Sequence, residues 1–120
     1  MVKRILLVDD DKMLLDSIET SIEGELENVQ VFTANDGKDA WDIFKDVRPD
    51  LVITDHRMSN WSGEDFTKAI RKEDRELPVI LMTGLFDEFD TNLYDDILYK
   101  PFRVSQFMEA ALRHISSIKE

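Results

Sequence analysis

The chain has 120 residues, no cysteine and a formal charge of −11, a size suited to one buried core and a composition that excludes disulfides and thiolate metal sites. The acid excess argues against a surface that neutralises nucleic-acid phosphates, and most of it reads as solvated surface. No apolar run reaches the length of a membrane span, the first residues leave no room for a signal peptide, and a cysteine-free chain suits a reducing compartment, so a cytoplasmic protein is expected.

Ile5-Leu6-Leu7-Val8 is a short, fully apolar run, the pattern of a strand buried on both faces in a parallel sheet. It ends on Asp9-Asp10-Asp11, where Asp11 is placed to cap a first helix. Leu14, Leu15, Ile18 and Ile22 set the apolar stripe of that helix, and Gly24 is positioned to end it. Val29 to Ala34 alternates more, as an edge strand does. Asn35-Asp36-Gly37 then forms a turn, with Asp36 capping a second helix whose apolar positions are Ala40, Trp41, Phe44 and Val47.

Pro49-Asp50 breaks that helix before a third strand, Leu51-Val52-Ile53-Thr54, which runs into Asp55. A third helix follows Gly63 on Phe66, Ala69 and Ile70. Pro78 opens a fourth strand, Val79 to Met82, and Ile97-Leu98-Tyr99 makes a short fifth. The last helix carries Val104, Phe107, Met108, Ala111, Leu112, Ile115 and Ile118 on one stripe. Strands alternating with helices in this way predict one α/β domain over residues 1–120, a parallel sheet covered by helices on both faces.

In an open α/β sheet, ligands bind beyond the carboxyl ends of the strands, where strand order reverses. Strand one delivers Asp9 and Asp10 to that edge, strand three Asp55, strand four Thr83 and strand five Lys100. Crowded carboxylates resist ionising together unless a hard cation such as Mg²⁺ sits among them. Carboxylates for a metal, one carboxylate left as nucleophile, a hydroxyl and an ammonium make a set suited to phosphoryl transfer.

With these residues in place, the sequence resembles the receiver domain of two-component response regulators along essentially its whole length. The resemblance rests on the Asp9-Asp10 pair, Asp55-His56-Arg57-Met58 with Gly63 after it, Met82-Thr83-Gly84, and Lys100-Pro101-Phe102. It implies a flavodoxin-like five-stranded sheet of order 2-1-3-4-5. It further implies Asp55 as phosphoacceptor, with Mg²⁺ (or Mn²⁺) on Asp10, Asp9, Asp55 and the backbone carbonyl of Arg57. Thr83 and Lys100 would grip the phosphoryl group, and Lys100-Pro101 would be a cis peptide. The implied partners are a sensor histidine kinase or phosphotransfer protein and an unidentified output partner, with no membrane and no direct nucleic-acid contact. Turnover beyond phosphoryl acceptance and autodephosphorylation is not expected.

Three features depart from the family. Ser59 stands where a proline is usual, four residues after the acceptor, which loosens the loop without removing a ligand. Ile97 replaces the aromatic residue whose ring usually swings when the threonine moves; isoleucine is stiff and has no ring. Tyr99 shares its face rather than its place. The interval from Thr83 to Lys100 is about five residues shorter than usual, and Leu85 to Asp90 has little helical amphipathicity, so the family's fourth helix should be short or irregular. Because that helix belongs to the usual output and dimerisation face, an altered or absent standard dimer is expected. The chain ends with its last helix, consistent with a stand-alone receiver or a piece of a longer regulator.

Some residues have plainer readings. His56 is expected to face solvent, His114 to fall off the last apolar stripe, Trp41 to lie in the core and Trp61 to be half exposed. The acid-rich stretch from Asp87 to Asp96 lacks the ligand spacing of a calcium loop and reads as a solvated segment. Two other functions compete with the receiver: a small Mg²⁺-dependent phosphatase of the haloacid dehalogenase type, and a receiver-like binding module that is never phosphorylated. Lys12-Met13 does not continue the phosphatase motif begun by Asp9-Asp10-Asp11.

Overall fold

The computed structural model describes residues 2–115, so the expected stripe position Ile118 lies outside the described residues. Five strands, β1 (Lys3–Val8), β2 (Val29–Ala34), β3 (Leu51–Asp55), β4 (Val79–Thr83) and β5 (Asp96–Tyr99), pair in parallel in the order β2-β1-β3-β4-β5. Four helices, α1 (Lys12–Glu25), α2 (Gly37–Val47), α3 (Gly63–Glu73) and α4 (Val104–Ile115), cover it. The predicted doubly wound architecture is the one observed.

Each central strand is apolar throughout because it serves two cores. Ile5, Leu7, Leu51, Ile53, Ile80 and Met82 face Leu15, Ile18 and Ile22 of α1 and Phe107, Met108 and Ala111 of α4. Leu6, Val8, Val52, Val79 and Leu81 face the other way, onto Ala40 and Phe44 of α2 and Phe66 and Ile70 of α3. Successive strand residues point to opposite faces, so only an unbroken apolar run can feed both layers. The edge strand β2 exposes Gln30, as its alternation predicts.

The caps follow local chemistry. The Asp11 carboxylate accepts from the backbone N–H of Met13 and Leu14, and that of Asp36 from the N–H of Asp39. Gly24 does not end α1, however. The helix runs through Glu25 and is capped by Leu26, whose side chain is buried and whose N–H bonds the Ile22 carbonyl. The left-handed residue that turns the chain into β2 is Asn28, at φ 61°. An apolar anchor two residues on has overridden the glycine stop. Trp41 is half-buried rather than fully in the core, stacked on Phe44 at 5.3 Å and tilted against Trp61 at 6.0 Å. Trp61 is 37% exposed, as expected.

Between β4 and β5 the chain makes no full helix. A loop leads to a single 3-10 turn, Thr91–Leu93, in accord with the short, weakly amphipathic interval. β5 is tied to α4 instead by Asp96, which accepts from Arg113 at 2.8 and 2.9 Å, lies 3.3 Å from His114 Nε2, and accepts from the Ile97 N–H. His114 therefore leaves the apolar stripe for an acid partner. Burial would raise the Asp96 carboxyl, but the bonds from Arg113, His114 and Ile97 outweigh it and hold the pKa below its ordinary value. A carboxyl lowered in the folded state stabilises above its unfolded pKa, and that contribution is lost as pH falls through the folded value. Asp96→Asn is expected to cost about 1 kcal/mol at pH 7. The gap to wild type should begin to narrow only below the ordinary carboxyl range, about pH 4; urea unfolding at pH 7 and pH 3 reads it, and an equal gap at both would refute the assignment.

Candidate functional site

The four strand ends named from the sequence meet at one edge, across the β1–β3 boundary where strand order reverses. Asp9 follows β1 and is fully buried; its Oδ1 accepts from the Asp11 N–H at 2.9 Å and its Oδ2 from Lys100 Nζ at 2.7 Å. Asp55 closes β3 and is 8% exposed. Its Oδ1 accepts from the His56 N–H at 2.8 Å and lies 3.3 Å from Lys100 Nζ. Asp10 is exposed beside them, and oxygens of Asp9, Asp10 and Asp55 all lie within 4.8 Å of one another.

Burial, then the Asp9 charge, raise the Asp55 carboxyl; Lys100 and the His56 N–H pull the other way without cancelling the rise. Burial would lower Lys100, but the hydrogen bond to Asp9 and the charge of Asp55 outweigh it, so the ammonium is held more firmly than usual. Three carboxylates against one ammonium leave two negative charges on oxygen donors. That donor set suits a hard dication such as Mg²⁺.

The loop after Asp55 is pressed between neighbours. The Gly63 N–H donates to the His56 carbonyl at 3.0 Å. A Cβ at Gly63 would overlap the backbone carbonyl oxygen of Asp55, so only glycine lets α3 begin this close to β3. Ser62 caps α3 through the Asp65 N–H, and buried Thr67 returns a bond to the Gly63 carbonyl at 2.7 Å. Ser59 sits exposed on the loop, followed by Asn60 at φ 69°. Lys100-Pro101 is cis.

One placement differs from expectation, and two site side chains make a bond that the sequence did not foretell. His56 does not face solvent. It is half-buried, edge-on to Phe89 at 6.2 Å, and its Nδ1 is buried without a hydrogen-bond partner among the described residues. Phe89 in turn meets Tyr94 edge-on at 6.2 Å, and burial pushes the Tyr94 hydroxyl up to about 12. The loop after β4 turns Asp87 and Phe89 inward while Leu85, Phe86 and Glu88 stay exposed, a mixture its acidic composition hid. Thr83 is 1% exposed, as a strand-end residue should be, yet its hydroxyl donates to Asp87 Oδ2 at 3.0 Å. Arg57, whose backbone carbonyl is the expected ligand, sends its side chain to Asp87 Oδ1 at 2.6 Å. Asp87 is thus a site residue that sequence reading missed. Its only signal was a carboxylate four residues after a strand-end Thr-Gly. Ile97 is half-buried opposite Leu81, and Tyr99 on the same face is 44% exposed.

The model of the response regulator receiver domain family matches residues 5–112. The chain belongs to this family. Among solved structures, a two-component transcriptional regulator AraC from Clostridium phytofermentans is similar at 31% identity with a TM-score of 0.78, covering 97% of this chain and 94% of that one. A receiver domain protein from Clostridium thermocellum is similar at 28% identity with a TM-score of 0.85, covering 97% and 96%. A CheY-like receiver from Methanospirillum hungatei, at 21% identity and a TM-score of 0.87 over 98% and 96%, shares the fold. The receiver is therefore a component of two-component signalling and not an enzyme of the usual kind, which sets aside the haloacid dehalogenase reading. Receivers bind Mg²⁺ at an acidic pocket and exchange signals with histidine kinases or phosphotransfer proteins and with output domains. No helix of the described residues is long and apolar enough to cross a membrane.

Proposed function

We propose that residues 1–120 act as one phosphoacceptor receiver, with Asp55 taking a phosphoryl group from a phosphohistidine of a sensor kinase or phosphotransfer protein. The observation that carries this reading is the single ammonium of Lys100 bridging buried Asp9 and Asp55 beside exposed Asp10. Both close contacts of Asp55 fall on Oδ1, so Oδ2 is the attacking atom. An Oδ2–phosphorus bond forms as the phosphorus–nitrogen bond breaks. The electron pair leaves on the imidazole, which takes a proton from solvent.

Asp9, Asp10, Asp55 and the Arg57 carbonyl would hold Mg²⁺ (or Mn²⁺), which when bound neutralises charge on the phosphoryl oxygens. Lys100 pairs with one phosphoryl oxygen, and the Thr83 hydroxyl donates to another. The acyl phosphate later returns to aspartate by hydrolysis, so the protein accepts and sheds phosphate without turning over a substrate. Its output is a shift between two states that a partner binds unequally. With Ile97 at the aromatic position, that shift does not run through a swinging ring. The acid excess argues against direct nucleic-acid contact by this domain. A cytoplasmic location suits this chain, which has no cysteine.

Acetyl phosphate with Mg²⁺ should add one phosphate, visible by intact mass, and Asp55→Ala should reduce that adduct at least a hundredfold. Wild type without an adduct, or a variant with an undiminished one, would sink the reading and leave a binding module.

A further inference from the structure

Thr83 ends β4 one residue beyond Met82, the register partner of Asp55 on β3, and its hydroxyl and the N–H of Gly84 both donate to one carboxylate oxygen, Oδ2 of Asp87, each at 3.0 Å. The other oxygen is held by Arg57 at 2.6 Å, from a loop thirty residues away in sequence. A third bond, from the Asp87 N–H to the Gly84 carbonyl at 3.3 Å, closes the turn. These hydrogen bonds, with the charge of Arg57 added, hold the Asp87 carboxyl below its ordinary range. Asp87 thus sits as an anion on the donors a phosphoryl oxygen would need.

A local turn closed by an aspartate would be ordinary by itself. Two facts go beyond that. The Arg57 contact links the turn to the loop that follows Asp55, so the carboxylate spans both sides of the site. A hydroxyl also has only one proton to give. If Thr83 donates to a phosphoryl oxygen, Asp87 must lose that bond, and two anions sharing those donors repel one another.

We propose that Asp87 is an internal competitor for the phosphoryl-binding donors, expelled when Asp55 is phosphorylated, and that its expulsion releases the Gly84–Phe89 turn as the moving output element. This rests on the phosphoacceptor reading above. The turn carries Leu85 and Phe86, 68% and 97% exposed, while Phe89 is tucked against His56 and Tyr94. It takes over the task of the ring that Ile97 lacks. Asp87 is a positioning residue, since it acts through Thr83, Gly84 and Arg57.

Beryllofluoride with Mg²⁺ is the phosphoryl probe, titrated by ¹⁹F NMR. Asp87→Ala should bind it about tenfold more tightly than wild type, within the range usual for coupled sites. Glu88→Gln, which also removes one negative charge from the same loop, should stay within twofold. In wild type, beryllofluoride should change amide hydrogen exchange across Gly84 to Asp87. Affinity unchanged by Asp87→Ala, or raised equally by Glu88→Gln, overturns the competitor. If Asp87→Ala does not fold, Arg57→Ala cuts the same carboxylate loose from the other loop and should tighten binding about threefold; no tightening there also overturns it. If wild type binds no beryllofluoride and takes up no phosphate, the phosphoacceptor reading has failed and the competitor with it.

Discussion

Lys100→Ala is expected to reduce phosphate uptake from acetyl phosphate by at least a hundredfold, the usual loss when a single charge-stabilising donor is removed from a reacting site. The same variant should be less stable without metal, because Asp9 is fully buried and its Oδ2 loses the ammonium at 2.7 Å. Breaking a fully buried ion pair costs about 3–5 kcal/mol. The Lys100 side chain is 31% exposed, so water reaches the pair and about 1–2 kcal/mol is the expected cost. Mg²⁺ should narrow the gap. The lysine and a dication satisfy the same carboxylates, so the variant binds Mg²⁺ more tightly and gains more from it. Urea unfolding with and without Mg²⁺ measures this. A gap that stays constant in saturating Mg²⁺ would mean the metal does not sit on Asp9 and Asp55.

Gly63→Ala is the largest effect expected from a single methyl group, about 3 kcal/mol, the upper end for overpacking. The added carbon meets the backbone carbonyl of Asp55, which belongs to a central strand hydrogen-bonded on both sides and has no rotamer to change. The start of α3 must therefore withdraw, breaking the Gly63-to-His56 bond at 3.0 Å and loosening Phe66 and Ile70, both fully buried. No positive φ is involved, so the penalty is purely one of approach. A thermal midpoint roughly 10 °C lower by circular dichroism is the expected reading for a domain of this size. Because the clash falls on the acceptor's own backbone, phosphate uptake should drop with it. A loss below 1 kcal/mol would mean the helix start is not held where it is placed.

The elements easiest to read in the sequence were those whose signal is local. Ile5 to Val8 and Leu51 to Thr54 had to be central strands, since nothing else makes so short a run apolar on both faces. Asp11 and Asp36 had to be caps, because a short carboxylate beside the first free N–H groups of a helix has a partner within three residues. The convergence of Asp9, Asp10, Asp55, Thr83 and Lys100 followed from the strand ends once the sheet was parallel. Gly24 misled because a glycine permits a helix end without requiring one, and buried Leu26 outweighed it. His56 misled because its partner, Phe89, lies thirty-three residues on in a loop whose charges suggested water.

Acid at the tips of apolar strands was therefore sufficient for the fold and for which side chains gather at one sheet edge, since those depend on periodicity and on where strands end. The order in which hydrogen bonds are shared inside the site was not in it. Whether the Thr83 hydroxyl points to Asp55 or to Asp87 depends on how the Gly84–Phe89 turn packs over His56 and where Arg57 reaches, contacts between segments far apart in sequence. Each polar hydrogen can serve one acceptor, and only the packed chain decides which one is near enough.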